Sequence, residues 1–281
     1  MGVQSPTEIN APWGCAVILR RICQLSLTRI THQVSRAFDL NLWQSQAIHA
    51  ILRTDVFTLP LPTRIAAIIH DNWSAMLINI KSTVMVSAIG LIVGSVIGYL
   101  VAVLATMAPK WGGAGLPIVS AFNAIPIVAL APVMTNWTKD VSNQPEVRSM
   151  VAKILVVMIV SIASMSINAY RGLNELKPFA KDMMASYAAT KRQVFFKLQM
   201  PNSVPYIFTA LKVSTPNAVI SAIVSEYFAE YIVGVGREIR ENIVQAQYST
   251  AWAYIVVACA IGIIFYAGLM IVEAIVMKKY H

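Results

Sequence analysis

The polar side chains that interrupt the apolar stretches of this chain are its first candidates for chemistry. Asn123 and Asn217 lie within two of these stretches, beside Pro126 and Pro216, and Glu226 lies at the end of one. Polar groups at such positions commonly line a solute pathway or bond to a neighbouring helix. We therefore expect the asparagines to make either an interhelical hydrogen bond or a solute contact. Pro126 is a further candidate for the solute pathway or its gate. Glu226 is expected either at an outer gate, where it could also touch a partner, or as a plain surface charge.

The signatures of enzymes and of metal sites are missing from the sequence. No G-x-x-x-x-G-K-[ST] phosphate loop is present, and the Gly234-Val235-Gly236 turn lacks the third glycine of a dinucleotide-binding loop. The three cysteines and four histidines do not have the spacing of a metal site. The sequence therefore predicts no enzyme activity, no cofactor and no bound metal.

Composition and hydropathy indicate which elements must position these residues. Hydrophobic residues make up 57% of the chain and charged residues 12%, whereas globular proteins carry about 25% charged residues. A transmembrane helix needs about 20 mostly apolar residues. Five stretches meet this need, so we predict an all-α membrane protein with about five transmembrane helices, at residues 83–107, 116–137, 151–170, 206–228 and 252–277.

The N-terminal segment, residues 1–60, differs from the rest of the chain. Its apolar part is interrupted by Arg20 and Arg21, and a central arginine costs about 2.5–3.5 kcal/mol on insertion scales. The segment also lacks the long apolar core of a clean signal peptide. It is either a poorly determined region or a divergent first helix, which would raise the number of spans to six. Residues 61–281 are predicted to form the transmembrane domain.

Small residues and prolines predict how two of the spans pack. Gly90, Gly94 and Gly98 fall four residues apart in the first span, and such a stripe allows another helix to approach closely. The second span contains Pro117, Pro126 and Pro132. Because proline removes a backbone hydrogen-bond donor, we expect this helix to be kinked or interrupted and to lie inside the bundle.

The net charge of +9 fits a membrane protein better than a nucleic-acid-binding one. Lysine and arginine collect on the cytoplasmic side of membrane proteins, and no aromatic and basic recognition pattern accompanies them. The basic loop at residues 171–205 is therefore predicted to be cytoplasmic, and the segment at residues 226–241 external. The loop is expected to hold a short amphipathic helix, ended by Pro201 and Pro205, that lies in the lipid interface or docks a partner.

Residues 182–201 resemble the coupling loop of importer-type ABC transporter permeases. In that family the pattern is E-A-A, three residues, G, nine residues, I, one residue and L-P, and this chain follows the spacing without a gap. Alanine stands at the glycine position, so the helix is expected to continue where the family usually bends. The resemblance assigns contact with an ATPase to Asp182, Met183, Met184, Ala185, Ala188, Leu198, Met200 and Pro201.

Three stretches extend the resemblance over residues 60–277. The stretch "AIPIVALAPVMTNW" and the segment "VSEYFAEYIVGVGREI" are similar to parts of nitrate, sulfonate and taurine permeases. The stretch "SYAATKRQVFFKLQMPNSVPYIFTALKV" looks most like the branch for riboflavin or pyrimidine precursors. The resemblance implies a multi-pass protein of the bacterial inner membrane with the type I importer fold, working by alternating access.

The implied partners are cytoplasmic ABC ATPase subunits, an extracytoplasmic solute-binding protein and a second permease subunit, as a homodimer in the bilayer, with no nucleic acid. The substrate implied is a vitamin precursor such as riboflavin or a hydroxymethylpyrimidine, with nitrate, sulfonate or taurine as the alternative. Two other functional classes compete with this interpretation. One is a secondary transporter or channel, which would usually show buried acidic relays. The other is a membrane enzyme such as a lipid transferase.

Overall fold

The computed structural model describes residues 57–108, 115, 117–119, 121, 124–228 and 233–278, and its regular structure within these ranges is helical. Asn123 and residues 1–56 of the predicted N-terminal segment lie outside the described residues. The described residues from 67 onward form one compact unit. The helices are α1 (Pro62–Asp71), α2 (Trp73–Met107), α3 (Ile127–Trp137), α4 (Pro145–Asn174), α5 (Ala180–Ser186), α6 (Lys191–Val194), α7 (Met200–Phe228), α8 (Val235–Val244) and α9 (Tyr248–Met277), with a π-helical segment, Phe195–Gln199, joining α6 to α7.

Four helical stretches of the described chain are long and apolar enough to cross a membrane. They are α2, α4, the continuous helix Lys191–Phe228 and α9, which confirms the predicted all-α membrane fold. The remaining predicted span, residues 116–137, contains the shorter apolar helix α3. Pro126 precedes α3 in an extended conformation, with φ −60° and ψ 123°, so the span is interrupted at a proline as expected.

Helices α2 and α4 pack closely along the glycine stripe. A Cβ atom on Gly94 would lie 2.6 Å from the carbonyl oxygen of Met158, and one on Gly98 would lie 2.7 Å from that of Ile162. These distances are too short for any side chain, so only glycine allows the two backbones to come this near. The predicted role of the stripe in helix packing is confirmed.

Helices α2, α4 and α7 surround the centre of the bundle, where small side chains predominate. One core cluster joins residues of all three helices: Ala102, Met165, Ala169, Leu173 and Ala210. Helix α9 lies at the edge, and large apolar side chains such as Ile263, Ile264 and Ile275 are exposed on it. In a bilayer such a face contacts lipid, so its exposure fits a membrane location.

The predicted break at Pro201 and Pro205 is wrong, because the helix continues through both prolines. Pro201 is the second residue of α7 and Pro205 lies inside it. The π-helical segment ends just before Pro201, and there the amide of Met200 donates to the carbonyl of Phe195. A π turn is wider than an α turn, which leaves room for a proline ring beside the preceding carbonyls.

Candidate functional site

The predicted coupling loop contains the short helix α5, which ends in a tight reversal at Ala188. The amide of Ala189 donates to the carbonyl of Met184 at 3.0 Å, and the amide of Ala188 donates to that of Ala185 at 2.9 Å. This pair of bonds is the Schellman motif, whose turning residue is left-handed and usually glycine. Ala188 takes that conformation, with φ 51°.

The expectation that the helix continues at Ala188 is therefore wrong. The pattern of hydrogen bonds at the end of α5 forces the turn, although an alanine in the left-handed region costs roughly 1–2 kcal/mol. The family's bend is thus present in this chain at the position where the glycine is replaced.

A new helix starts immediately after the turn. The amide of Gln193 donates to the hydroxyl oxygen of Thr190 at 3.3 Å, and the amide of Thr190 donates to the side-chain oxygen of Gln193 at 2.8 Å. This reciprocal arrangement is a capping box, which satisfies two amides at the start of a helix. Residues 187–190 are therefore a defined corner between α5 and α6.

Large apolar side chains are exposed on the coupling segment, which is helix α5 with its flanking residues (residues 179–187). Phe179 is 81% exposed, Met183 56% and Tyr187 79%. They follow one another at four-residue spacing, close to one turn of a helix. Exposed aromatic and methionine side chains on a charged loop are typical of a docking surface. Of these three residues only Met183 was expected from the sequence, although the four-residue spacing of Phe179 and Tyr187 from it is visible there.

The structure divides the predicted coupling residues into two groups. Asp182 lies in the first turn of α5, where a negative charge suits the helix dipole, and it is exposed together with Met183, Ala185 and Ala188. Met184 is half-buried. The second group lies further on, in the π-helical segment and at the start of α7, where Leu198 and Met200 are half-buried and Pro201 is exposed.

The two ends of the coupling loop are tied together by an asparagine. The side-chain amide of Asn202, on α7, donates to the carbonyl of Gly172 at 2.7 Å and to that of Glu175 at 3.1 Å. Carbonyls at the C-terminal end of a helix have no partner within it, so Asn202 completes the end of α4. Asn174 donates to the hydroxyl of Thr106 on α2 at 3.1 Å. The base of the loop is thereby joined to three helices of the bundle.

A buried polar cluster lies at the opposite end of α7, around Glu226, which is 1% exposed. The hydroxyl of Thr83 donates to its carboxylate at 2.9 Å, and the amide of Gly236 donates to it at 3.0 Å. The ammonium group of Lys153, also buried, lies 3.8 Å from the carboxylate. Helices α2, α4, α7 and α8 therefore meet at one carboxylate.

The same cluster caps the N-terminus of α8. The amide of Gly234 donates to the side-chain oxygen of Asn79 at 2.9 Å, and the amide of Val235 donates to the hydroxyl oxygen of Thr83 at 3.1 Å. The first amides of a helix lack partners within it, and here side chains of α2 and α7 accept them. Asn79 also donates to the hydroxyl of Tyr254 on α9 at 3.3 Å.

The two glycines at the N-terminal end of α8, Gly234 before its first residue and Gly236 in its first turn, are required by close packing. A Cβ atom on Gly234 would lie 2.5 Å from the carboxylate carbon of Glu226, and one on Gly236 would lie 2.0 Å from the carbonyl oxygen of Ile223. Any side chain at either position would push α8 away from Glu226. The glycine turn and the carboxylate are thus one structural unit.

These contacts correct one expectation for Glu226. It is not a plain surface charge, because it is buried and bonded on several sides. A role at an outer gate or against a partner stays a prediction. Lys153 was overlooked as part of an apolar stretch; a single lysine in a predicted span was the available signal. The remaining pathway candidates lie apart from this cluster: Pro126 is exposed at the start of α3 and Asn217 is half-buried in α7.

The comparisons with known proteins agree with this architecture. The family described as binding-protein-dependent transport system inner membrane component matches residues 90–279. The chain belongs to this family. A formylaminopyrimidine transport permease of Halalkalibacterium halodurans is 27% identical over 241 residues, which cover 85% of this chain and 93% of the relative. A bicarbonate transport system permease of a Synechocystis species is 25% identical over 134 residues, which cover 48% of this chain and 46% of the relative.

Solved structures of ABC importers share the fold. An inward-facing methionine ABC transporter aligns with a TM-score of 0.63 at 15% identity, covering 75% of this chain and 98% of the solved chain. An amino acid ABC transporter aligns with a TM-score of 0.59 at 14% identity, covering 75% and 96%. These alignments show the type I fold, and the family match shows that the protein is the inner-membrane permease of an ABC importer. Membership implies an ATPase and a binding protein as its partners, and it favours the ABC permease over a secondary transporter or a channel. The family is one of transport permeases and is not an enzyme class.

Proposed function

We propose that this permease imports a pyrimidine-type vitamin precursor. The observation that carries the proposal is the similarity to a formylaminopyrimidine permease, which extends over 85% of this chain. It agrees with the resemblance of residues 186–213 to the branch for riboflavin and pyrimidine precursors. In addition, the predicted spans contain no arginine to pair with an inorganic anion, and a buried anion without a partner is costly.

The coupling segment is the proposed docking site for the ATPase. Phe179, Met183 and Tyr187 offer apolar side chains to a groove on the partner, and Ala188 sets the direction of the chain that leaves it. Because Asn202 holds the ends of the loop together, a displacement of α5 moves the ends of α4 and α7 with it. The segment thus passes movement of the ATPase to the bundle, as alternating access requires.

The cluster around Glu226 is proposed to hold the outer helix α8 on the bundle. Because its bonds reach α2, α4, α7 and α8, these elements move as one body while the cluster is intact. Pro126, Asn217 and Asn123 are assigned to the solute pathway on the basis of their positions within or beside predicted spans. The protein is further proposed to act as a homodimer and to catalyse no reaction itself, since ATP hydrolysis belongs to the partner.

Uptake by the complete transporter in membrane vesicles tests the substrate. Vesicles that contain the permease, its ATPase and its binding protein are supplied with labelled formylaminopyrimidine, hydroxymethylpyrimidine, riboflavin, nitrate or taurine, with and without ATP. We expect ATP-dependent uptake of at least one of the pyrimidine compounds or riboflavin. Vesicles with Met183→Glu, which places a charge on the docking surface, are the control for coupling. ATP-dependent uptake of nitrate or taurine alone would contradict the proposal.

Import of an inorganic anion is the second candidate. The similarity to the bicarbonate permease favours it, but that similarity covers less than half of this chain. Labelled bicarbonate in the same vesicles distinguishes the two candidates.

A further inference from the structure

A large apolar groove lies beside the coupling segment, and the proposed transport cycle does not use it. It lies between the C-terminal end of α2 and the first residues of the continuous helix Lys191–Phe228, and its volume is about 1010 Å³. Its apolar lining includes Tyr99, Leu100, Val103, Met107, Phe195 and Phe196. Phe195 packs against the core cluster that contains Ala102 and Leu173, so the groove lies at the level where α2 and α4 end.

Two cationic side chains line the same groove. Lys191 and Arg192 are both exposed, and neither forms an ion pair within the described part of the chain. The guanidinium carbon of Arg192 lies 5.8 Å from the centre of the Phe196 ring. This contact orients the guanidinium group beside the apolar lining and leaves its hydrogen-bond donors available.

An apolar stripe continues from the groove along the outside of α2. Ile92, Val96, Leu100 and Leu104 are all exposed, with exposed fractions between 54% and 65%, and they recur every four residues. A ligand in the groove that carries an acyl chain could therefore extend it along α2 toward the bilayer centre. The site combines a cationic head region at the membrane surface with an apolar track.

We propose that this groove binds an anionic phospholipid, whose phosphate lies against Lys191 and Arg192 and whose acyl chain follows α2. Charge complementarity identifies the occupant, because basic pockets between helices at the cytoplasmic surface suit anionic headgroups. The apolar lining distinguishes a lipid from free phosphate, which would gain nothing from Leu100 or Phe196. Because Lys191 and Arg192 follow directly on the corner at residues 187–190, a bound lipid would steady the coupling segment.

Native mass spectrometry of the purified permease–ATPase complex tests the site. Phosphatidylglycerol and phosphatidylcholine are titrated against the wild type and against the double variant Lys191→Gln/Arg192→Gln. We expect phosphatidylglycerol to bind the variant roughly thirtyfold more weakly, which is about 2 kcal/mol at 1.4 kcal/mol per tenfold and follows from about 1 kcal/mol per basic residue. Phosphatidylcholine binding should not change.

The matched control is Lys177→Gln/Lys181→Gln, which removes two exposed charges of the same loop that do not line the groove. An equal loss of phosphatidylglycerol in both double variants would overturn the proposal, since it would indicate general attraction to the loop. Leu100→Trp keeps both cations and fills the apolar lining, so it should also reduce binding, and unchanged binding would overturn the proposal. Displacement of the lipid by excess inorganic phosphate, or a wild-type complex that retains no anionic lipid, would do the same.

Discussion

Truncation of Glu226 provides the most direct test of the buried cluster. The change Glu226→Ala leaves the hydroxyl of Thr83, the amide of Gly236 and the ammonium group of Lys153 without their shared acceptor. Removal of one partner from a buried ion pair typically costs about 3–5 kcal/mol. Since folded proteins are stable by about 5–15 kcal/mol, we expect this variant to lose a large part of its free energy of unfolding.

The double variant Lys153→Met/Glu226→Gln should be far more stable than Glu226→Ala. The glutamine retains an oxygen that accepts from Gly236 and Thr83, and the methionine fills the volume of the lysine without leaving a charge. Replacing a buried ion pair as a whole is often close to neutral, so we expect a loss of about 1 kcal/mol or less. Each of the single variants Lys153→Met and Glu226→Gln should lose more than the double variant.

Reversible unfolding in mixed micelles, followed by tryptophan fluorescence, measures these free energies. The control is Glu241→Gln, which breaks the half-buried i,i+4 pair of Arg237 and Glu241 at 3.4 Å on α8 and should cost no more than about 0.5 kcal/mol. If the loss in the double variant equals the sum of the losses in the two singles, Lys153 and Glu226 do not interact, and the account of the cluster given above is wrong.

Three further predictions concern the coupling loop, the outer helix and the packing of the bundle. Ala188→Gly should stabilise the turn by about 1 kcal/mol and preserve transport, whereas Ala188→Glu should abolish transport with membrane insertion intact. Uptake assays measure transport and a blot of the membrane fraction measures insertion. Transport by the glutamate variant at normal expression would contradict the docking role. Burial raises the pKa of Glu238 above its ordinary value of 4.5, and the neighbouring Glu241 adds to the shift. Because the folded pKa exceeds the unfolded one, the stability advantage of wild type over Glu238→Gln should shrink as the pH rises from 4.5 through the raised pKa. Thermal unfolding midpoints at several pH values measure this difference, and a difference that does not change with pH would contradict the prediction. Gly94→Leu should disrupt assembly of the bundle, because a Cβ atom there would already lie 2.6 Å from the carbonyl oxygen of Met158. Gly262→Leu is the control and should assemble normally, since a Cβ atom there would meet nothing within 4 Å. Size-exclusion profiles in detergent compare the two variants, and equal profiles would contradict the packing argument.

The coupling loop shows how far a motif can be read without a structure. The spacing from Asp182 to Pro201 located the loop, because the family pattern depends only on the order of residues along the chain. The same pattern, with Ala188 at the glycine position, led to the wrong expectation of a straight helix. The turn depends on hydrogen bonds from residues 188 and 189 back to residues 184 and 185, and helix propensity does not report such bonds. For a similar reason, the prolines at 201 and 205 suggested a break, whereas the helix continues through both and the π-helical segment lies shortly before Pro201.

The sequence by itself determined the class of this protein and the approximate positions of four of its membrane helices, while the predicted span at residues 116–137 holds only the shorter helix α3. Long apolar stretches can be stable only in a bilayer, and a glycine every four residues can lie only on one side of a helix, so neither conclusion needed tertiary structure. The tertiary structure alone decided the partners of Glu226. Lys153 and Thr83 lie 73 and 143 residues away from it along the chain, and their proximity results from the packing of α2 and α4 against α7. Because no local pattern encodes which helices become neighbours, the buried ion pair and the capping of α8 could be recognised only once the bundle was assembled.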